Sequence, residues 1–183
     1  MISRINLKEF GDFIPVEASY VFSASSLDVV NKTRFSKYHE KVLETIEKGK
    51  VEAVFTSLEL KKLKNYVGEK NYRKIYQKIW DLRDSLVVVL EIDDVSRLLS
   101  SNEAYSRLHK LYLNQNIHLA DLSSVFVAIE YKIPLITDDD HHWGLQQAFQ
   151  KIYRERHSKG KTSPGNLVFK MYSSEDFCKF LKF

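Results

Sequence analysis

Short apolar runs alternate along the chain with longer stretches in which apolar residues recur every three or four positions. The first pattern is typical of buried strands and the second of amphipathic helices, so their alternation indicates an α/β fold with a mainly parallel sheet. Five strands are predicted, at residues 13–19, 51–57, 85–92, 134–137 and 167–173. Helices are predicted at residues 24–49, 58–83 with a break near Gly68, 94–115, 118–131 and 141–158, and in the closing segment SSEDFCKFLKF. We therefore expect three layers, with helices on both faces of a five-stranded sheet.

Length and composition fit one globular domain over residues 1–183. Of the 183 residues, 44% are hydrophobic and 28% are charged, and most domains contain about 100–200 residues. No segment approaches the roughly 18 consecutive apolar residues of a membrane span, and the first residues lack the apolar run of a secretion signal, so a cytoplasmic location is expected. The single cysteine, Cys178, excludes an internal disulfide and a cysteine-based zinc site.

Basic residues are concentrated in two segments, and the net charge is +4. The first segment interleaves basic and aromatic side chains: Lys61, Lys62, Lys64, Lys70, Arg73, Lys74 and Lys78 with Tyr66, Tyr72, Tyr76 and Trp80. The second contains Lys151, Arg154, Arg156, Lys159 and Lys161. Basic groups bind phosphates and aromatic rings stack on unpaired bases, so an RNA-binding surface is one interpretation. The alternative is two solvated helix faces whose aromatic side chains point inward.

Carboxylates stand where an α/β sheet usually binds its ligands. Asp121 begins an almost wholly apolar helix, the run Asp138–Asp140 follows the strand at 134–137, and Glu17 follows apolar residues of the first strand. Ligands of open parallel sheets bind beyond the carboxyl ends of the strands, and an unpaired carboxylate is costly to bury. Convergence of these acids on Mg²⁺ or Mn²⁺ would account for them, because these ions prefer oxygen ligands.

Taken in order, these segments resemble the motifs of the PIN-domain family of nucleases, which includes VapC-like toxins and RNA-processing factors. Val16-Glu17-Ala18-Ser19 resembles the opening V-D-A-S, with Glu in place of Asp. Leu119-Ala120-Asp121 resembles the L-x-D-A helix, and Pro134-Leu135-Ile136-Thr137-Asp138-Asp139 resembles the P-L-V-T-x-D strand end. The resemblance spans about residues 13–183.

The sequence departs from the family pattern at the second acidic position. That pattern is S-x-L-x-x-E at the start of a helix, and the segment beginning at Ser57 has Lys62 where Glu is expected. Glu59 is the nearest replacement, one turn earlier on the same helix face.

The resemblance implies hydrolysis of RNA phosphodiester bonds by water activated on one or two divalent metal ions. It makes Glu17, Asp121 and Asp139 the catalytic residues. The metal ligands that it implies are Glu17, Glu59, Asp121, Asp138, Asp139 and Asp140, with Mg²⁺ or Mn²⁺ as the ion and with Ser19 and Thr137 hydrogen bonded to the carboxylates. RNA is the expected partner. A toxin of this family would add an antitoxin protein, and homodimers are common among its members.

Less specialised interpretations stand beside these assignments. Asp121 could complement the dipole of its helix, one of the three aspartates caps the following helix, and Glu17 and Glu59 could be exposed residues of a strand end and a helix. His141 and His142 lie next to aspartates, but zinc would need further ligands at recognisable spacing.

Lys62 raises a second functional hypothesis. An ammonium in place of a carboxylate weakens a dication site, so the chain could be a catalytically weakened PIN-like module that binds RNA or a protein partner. The orientation of Lys62 separates the two hypotheses. Lys62 turned outward favours the nuclease, whereas Lys62 bridging Asp121 and Asp139 favours the weakened module.

Overall fold

A computed structural model describes residues 2–6, 19–80, 87–91, 106–108, 110, 119–157 and 170–181. In this part of the chain one sheet has six strands in the order β1-β4-β3-β2-β5-β6, and all its pairings are parallel. The strands are β1 (Ile2–Asn6), β2 (Ser19–Phe22), β3 (Glu52–Thr56), β4 (Val87–Glu91), β5 (Leu135–Ile136) and β6 (Met171–Tyr172). The helices are α1 (Ser36–Glu47), α2 (Ser57–Trp80), α3 (Leu119–Glu130), α4 (Asp140–His157) and α5 (Ser174–Phe180), and a 3₁₀ turn covers Ala24–Leu27.

Helices cover both faces of the sheet, because the central strands are apolar on both sides. Val21 and Val54 contribute to one core with residues of α3 and α4. Phe22 and Phe55 contribute to a second core with residues of α1, α2 and α5. Neighbouring residues of a strand point to opposite faces, so the two cores lie on opposite sides of the sheet, consistent with a three-layer arrangement. No described helix has the length and apolar character needed to span a bilayer.

The α/β class and the parallel sheet are confirmed, but the predicted number of strands is wrong. The additional strand, β1, pairs with β4, and its sequence, ISRIN, is too short and too polar to give a clear apolar pattern. The strand predicted at 13–19 shares only Ser19 with β2, and residues 13–18 lie outside the described part. Two apolar runs, FIPV and YVF, stand close together there, and the second forms the strand.

The helix predicted at 24–49 begins only at Ser36. Before it, the Asp28 carboxylate accepts hydrogen bonds from the backbone N–H groups of Val30 and Asn31, and the Ser36 hydroxyl accepts one from Thr33 N–H. Such local side-chain bonds compete with helix formation. The predicted break near Gly68 is confirmed, since this glycine has φ +74° within α2. The helix predicted at 94–115 falls largely outside the described residues.

Candidate functional site

The carboxyl ends of β2, β3 and β5 meet at one edge of the sheet, which is where parallel strands place a ligand site. The β3 end leads into α2, whose start is fixed by Thr56: its hydroxyl accepts a hydrogen bond from Glu59 N–H at 3.1 Å and lies 2.7 Å from the Ser123 hydroxyl of α3. This bond joins α2 to α3 at the edge. It fixes the turn of α2 that carries Glu59 and Lys62.

Lys62 bridges the two aspartates that the sequence predicts to converge. Its ammonium donates hydrogen bonds to Asp121 and, at 2.9 Å, to Asp139. Lys62 is 6% exposed and Asp121 is fully buried. The ammonium also lies 5.3 Å from the ring centroid of Tyr66, within the range of a cation–π contact. The ammonium of Lys62 thus joins α2 to the start of α3 and to the segment that follows β5.

Glu59 is buried rather than exposed on its helix, with 1% of its surface accessible. Its carboxylate accepts hydrogen bonds from Ala24 N–H at 2.8 Å and from the Ser124 hydroxyl at 2.6 Å. His142, also fully buried, places Nε2 3.0 Å from the Ser124 hydroxyl and 3.4 Å from Glu59. The other ring nitrogen of His142 lies 3.0 Å from the Thr137 hydroxyl. The polar side chains around Glu59 therefore all have protein partners.

The charges of the site compensate each other. Burial alone would lower the pKa of Lys62, but the charges of Glu59 and Asp121 outweigh it and raise that pKa. Burial would likewise lower the pKa of His142, and its hydrogen bond to Glu59 raises it instead. Burial would raise the pKa of Glu59, whereas His142 lowers it. Burial raises the pKa of Asp121, against the opposing charges of His142 and Lys62. The carboxylates of Glu59, Asp121 and Asp139 therefore face two groups, Lys62 and His142, whose pKa values their charges raise.

The donor atoms form two clusters compact enough to hold a metal ion. One consists of Glu59, Asp121 and His142, and the other of Asp121, Asp139 and His141, and the ligand atoms of each lie within 4.8 Å of one another. The arrangement observed does not suit Mg²⁺ or Mn²⁺, however. A dication there would meet the positive charge of the Lys62 ammonium, which already bonds Asp121 and Asp139. The Glu59 carboxylate already accepts bonds from Ala24 N–H and the Ser124 hydroxyl.

Asp138 lies at the same edge but is bonded elsewhere. Its carboxylate accepts hydrogen bonds from Ser174 N–H at 2.8 Å and from the Ser174 hydroxyl, and lies 2.8 Å from His39 Nε2. Because His39 lies in α1 and Ser174 begins α5, these bonds tie both helices to the end of β5. The other ring nitrogen of His39, Nδ1, lies 2.7 Å from the Asp28 carbonyl. Asp138 thus holds helices in place and belongs to neither cluster.

Of the four remaining predicted residues, Thr137 takes part in the site, two lie elsewhere and one lies outside the described part. Asp140 is exposed at the first residue of α4. Ser19 begins β2, beside Glu52 in the strand register and hence at the opposite edge of the sheet. Thr137 does lie in the site, where its hydroxyl accepts a hydrogen bond from Asp139 N–H. Glu17 lies outside the described residues.

Sequence reasoning missed Ser23 and Ser124, and it considered His142 only as a zinc ligand. Ser23 directly follows β2, so it occupies the strand end that the sequence pattern assigns to Glu17, and its hydroxyl is bonded to that of Ser25. Ser124 and His142 complete the network around Glu59. The segment SASS after an apolar run was the available signal for Ser23. Nothing in the sequence distinguishes buried His142 from its exposed neighbour His141.

The basic segment of α2 is partly exposed. Its exposed basic side chains are Lys61, Lys64, Lys70, Arg73, Lys74 and Lys78. Tyr66 is 41% exposed, whereas Tyr72 and Tyr76 are half-buried and lie against each other. The surface therefore combines a basic helix face with one accessible aromatic ring. In the second basic segment the structure describes only the side chain of Lys151, which is exposed.

Neither protein-family models nor curated proteins give a match to this sequence.

Proposed function

We propose that this chain is a PIN-like module that binds single-stranded RNA, and that the Lys62 ammonium takes the place of a metal ion in its acidic site. The observation that carries the proposal is the pair of hydrogen bonds from Lys62 to Asp121 and Asp139. The parallel sheet and the carboxylates at the carboxyl ends of its strands also support the proposal, because the family resemblance predicts both.

An ammonium holds the acidic site together without supplying the chemistry of a metal. A divalent ion lowers the pKa of bound water and stabilises charge on the attacking and leaving oxygens. Lys62 neutralises part of the carboxylate charge, but its raised pKa keeps its proton in place. It offers no open coordination position for water. On this proposal the domain keeps its fold and binds RNA without hydrolysing it.

RNA is the partner that the charges of the described surface favour. Along α2 the exposed side chains include six basic residues against one acidic residue, Glu69, which is itself paired with Lys64 and Arg73. A basic surface with an accessible tyrosine suits a phosphate backbone with unpaired bases. A partner protein with an acidic surface is the competing possibility, and absence of RNA binding in the following experiment would favour it.

Fluorescence anisotropy with a labelled single-stranded RNA tests the proposal. We expect binding that is unchanged by EDTA, weakens steeply with salt, and leaves the RNA intact in Mn²⁺. The double substitution Lys70→Gln and Lys74→Gln should weaken binding about fivefold to tenfold, because each lysine that neutralises a phosphate contributes part of the electrostatic free energy of binding. The matched control is Lys48→Gln, at an exposed lysine directly after α1. Absence of RNA binding at low salt would contradict the proposal.

A metal-dependent ribonuclease is the second candidate, and the two compact ligand clusters favour it. It requires Lys62 to leave Asp121 and Asp139 so that an Mg²⁺ or Mn²⁺ ion can bind there. A toxin role, with an antitoxin protein as partner, belongs to this candidate because toxicity depends on hydrolysis. Cleavage of RNA in Mn²⁺ by the native protein, abolished by EDTA and by Asp121→Asn, would establish it in place of the first.

A further inference from the structure

A cavity of about 400 Å³ opens beside the Lys62 site, between the start of α1, the start of α4 and the end of β5. It contains aromatic, cationic and carboxylate side chains together. Those used in the argument below are Arg34, Phe35, Lys37, Tyr38, Asp140 and Trp143. None of them belongs to the network around Lys62.

Two of the cavity's aromatic rings are already covered by cations of the chain. The Arg34 guanidinium lies 4.6 Å from the ring centroid of Phe35, and the Lys37 ammonium lies 4.8 Å from that of Tyr38. These contacts hold both cations at the rim, where neither forms an ion pair with another described residue. Exposed cations held in this way are suited to a phosphate group.

Two side chains of α4 remain available to a ligand. The Trp143 indole is 36% exposed, and Asp140 has no ion pair or hydrogen-bond partner for its carboxylate among the described residues. The two are three positions apart on one helix, so they lie on the same face. The other carboxylates are occupied, since Asp138 accepts from Ser174 and Glu175 accepts from Tyr38.

This set of groups matches one nucleotide of a single-stranded RNA. An unpaired base can stack on the indole and present its Watson–Crick edge to a neighbouring polar group. A carboxylate only accepts hydrogen bonds, and guanine is the RNA base with two adjacent donors on that edge, the ring N1–H and the exocyclic amine. Adenine, cytosine and uracil each place an acceptor beside a donor, which a carboxylate would repel.

Building on the RNA-binding function proposed above, we propose that this cavity binds a guanine nucleotide of single-stranded RNA. Trp143 stacks on the base, Asp140 accepts from its N1–H and amino groups, and Arg34 and Lys37 bind the adjoining phosphates. The acidic site thus contributes structure, and the cavity beside it contributes base selectivity.

The test compares labelled oligouridines that differ only at a central guanosine, inosine or adenosine. We expect the native protein to bind the guanosine oligonucleotide about tenfold more tightly than the adenosine one, because a bidentate pair discriminates by about one to two orders of magnitude. Inosine, which keeps N1–H and lacks the amine, should be intermediate. Asp140→Asn should remove the preference while leaving the affinity for the adenosine oligonucleotide unchanged. Trp143→Ala should weaken binding of all three oligonucleotides about tenfold.

The control substitution is Glu40→Gln, at an exposed carboxylate of α1 outside the cavity, and it should change neither affinity nor preference. Equal binding of the guanosine and adenosine oligonucleotides would overturn the guanine assignment and leave the RNA-binding function standing. A labelled oligoarginine whose binding is abolished in Asp140→Asn, with RNA binding unaffected, would instead assign the cavity to a cationic peptide. No binding of any RNA would contradict both proposals.

Discussion

Replacing Lys62 with methionine should lower the free energy of unfolding at neutral pH by about 3–5 kcal/mol, the cost of breaking a buried ion pair from one side. The methionine side chain is one atom shorter than that of lysine and similar in volume, but it leaves Asp121 and Asp139 facing each other without the ammonium between them. Asp121 is fully buried, so water cannot replace the interaction with the ammonium. Denaturation by urea, monitored by circular dichroism, measures the change.

The adjacent substitution Lys61→Met is the matched control, because Lys61 is exposed on the same turn of α2. It should change the free energy of unfolding by less than about 0.5 kcal/mol. Removal of the ammonium should also raise the pKa of both aspartates, so the difference between Lys62→Met and the native protein should shrink as the pH falls and they take up protons. A Lys62→Met variant as stable as Lys61→Met would mean that the bridge contributes nothing.

Replacing Glu59 with alanine should have an effect of similar size, about 3–5 kcal/mol. The substitution leaves Ala24 N–H without its acceptor and removes the nearest of the acceptors of the Ser124 hydroxyl. It also leaves His142 without the carboxylate that raises its pKa. Buried donors without acceptors each cost about 1–3 kcal/mol. The same denaturation measurement applies.

Two further variants separate the sources of the Glu59 effect. Glu59→Gln keeps a carbonyl acceptor and removes only the charge, so its loss of stability should be smaller than that of Glu59→Ala. Glu44→Ala removes an exposed carboxylate that is paired with Lys48, and exposed pairs contribute at most about 1 kcal/mol. If Glu59→Ala is no more destabilising than Glu44→Ala, the buried network around Glu59 does not contribute to the stability of the fold.

The sequence predicted the half of the site that depends on local pattern. Asp121 heads an apolar helix and Asp139 follows an apolar strand, and parallel topology is enough to bring such positions to one edge. The structure places both there, and the alternation of strands and helices likewise predicted the parallel sheet. Lys62 could be recognised as a departure from the family pattern, because its place in the motif can be counted from Ser57.

The positions of the other site residues depend on tertiary packing, which cannot be predicted from the local sequence pattern. Glu59 lies in the segment LELKKL, where a charged residue would ordinarily face water. Its position is interior because the 3₁₀ turn, α3 and α4 pack around it. The choice between His141 and His142 depends on where α4 begins. Two apolar runs, FIPV and YVF, are both compatible with the first strand. The sequence pattern therefore predicts a strand end at Glu17, whereas β2 ends just before Ser23.

We propose that Lys62 occupies the place of a metal ion, and thermal unfolding in the presence of Mn²⁺ tests this claim. A ligand that binds only the folded state raises its stability by RT ln(1 + [L]/Kd). We predict that Mn²⁺ leaves the unfolding temperature of the native protein unchanged and raises that of Lys62→Met, in which Asp121 and Asp139 become available, and that adding Asp121→Asn to Lys62→Met abolishes the rise. If Mn²⁺ raises the unfolding temperature of the native protein and this rise disappears in Asp121→Asn, the claim is wrong.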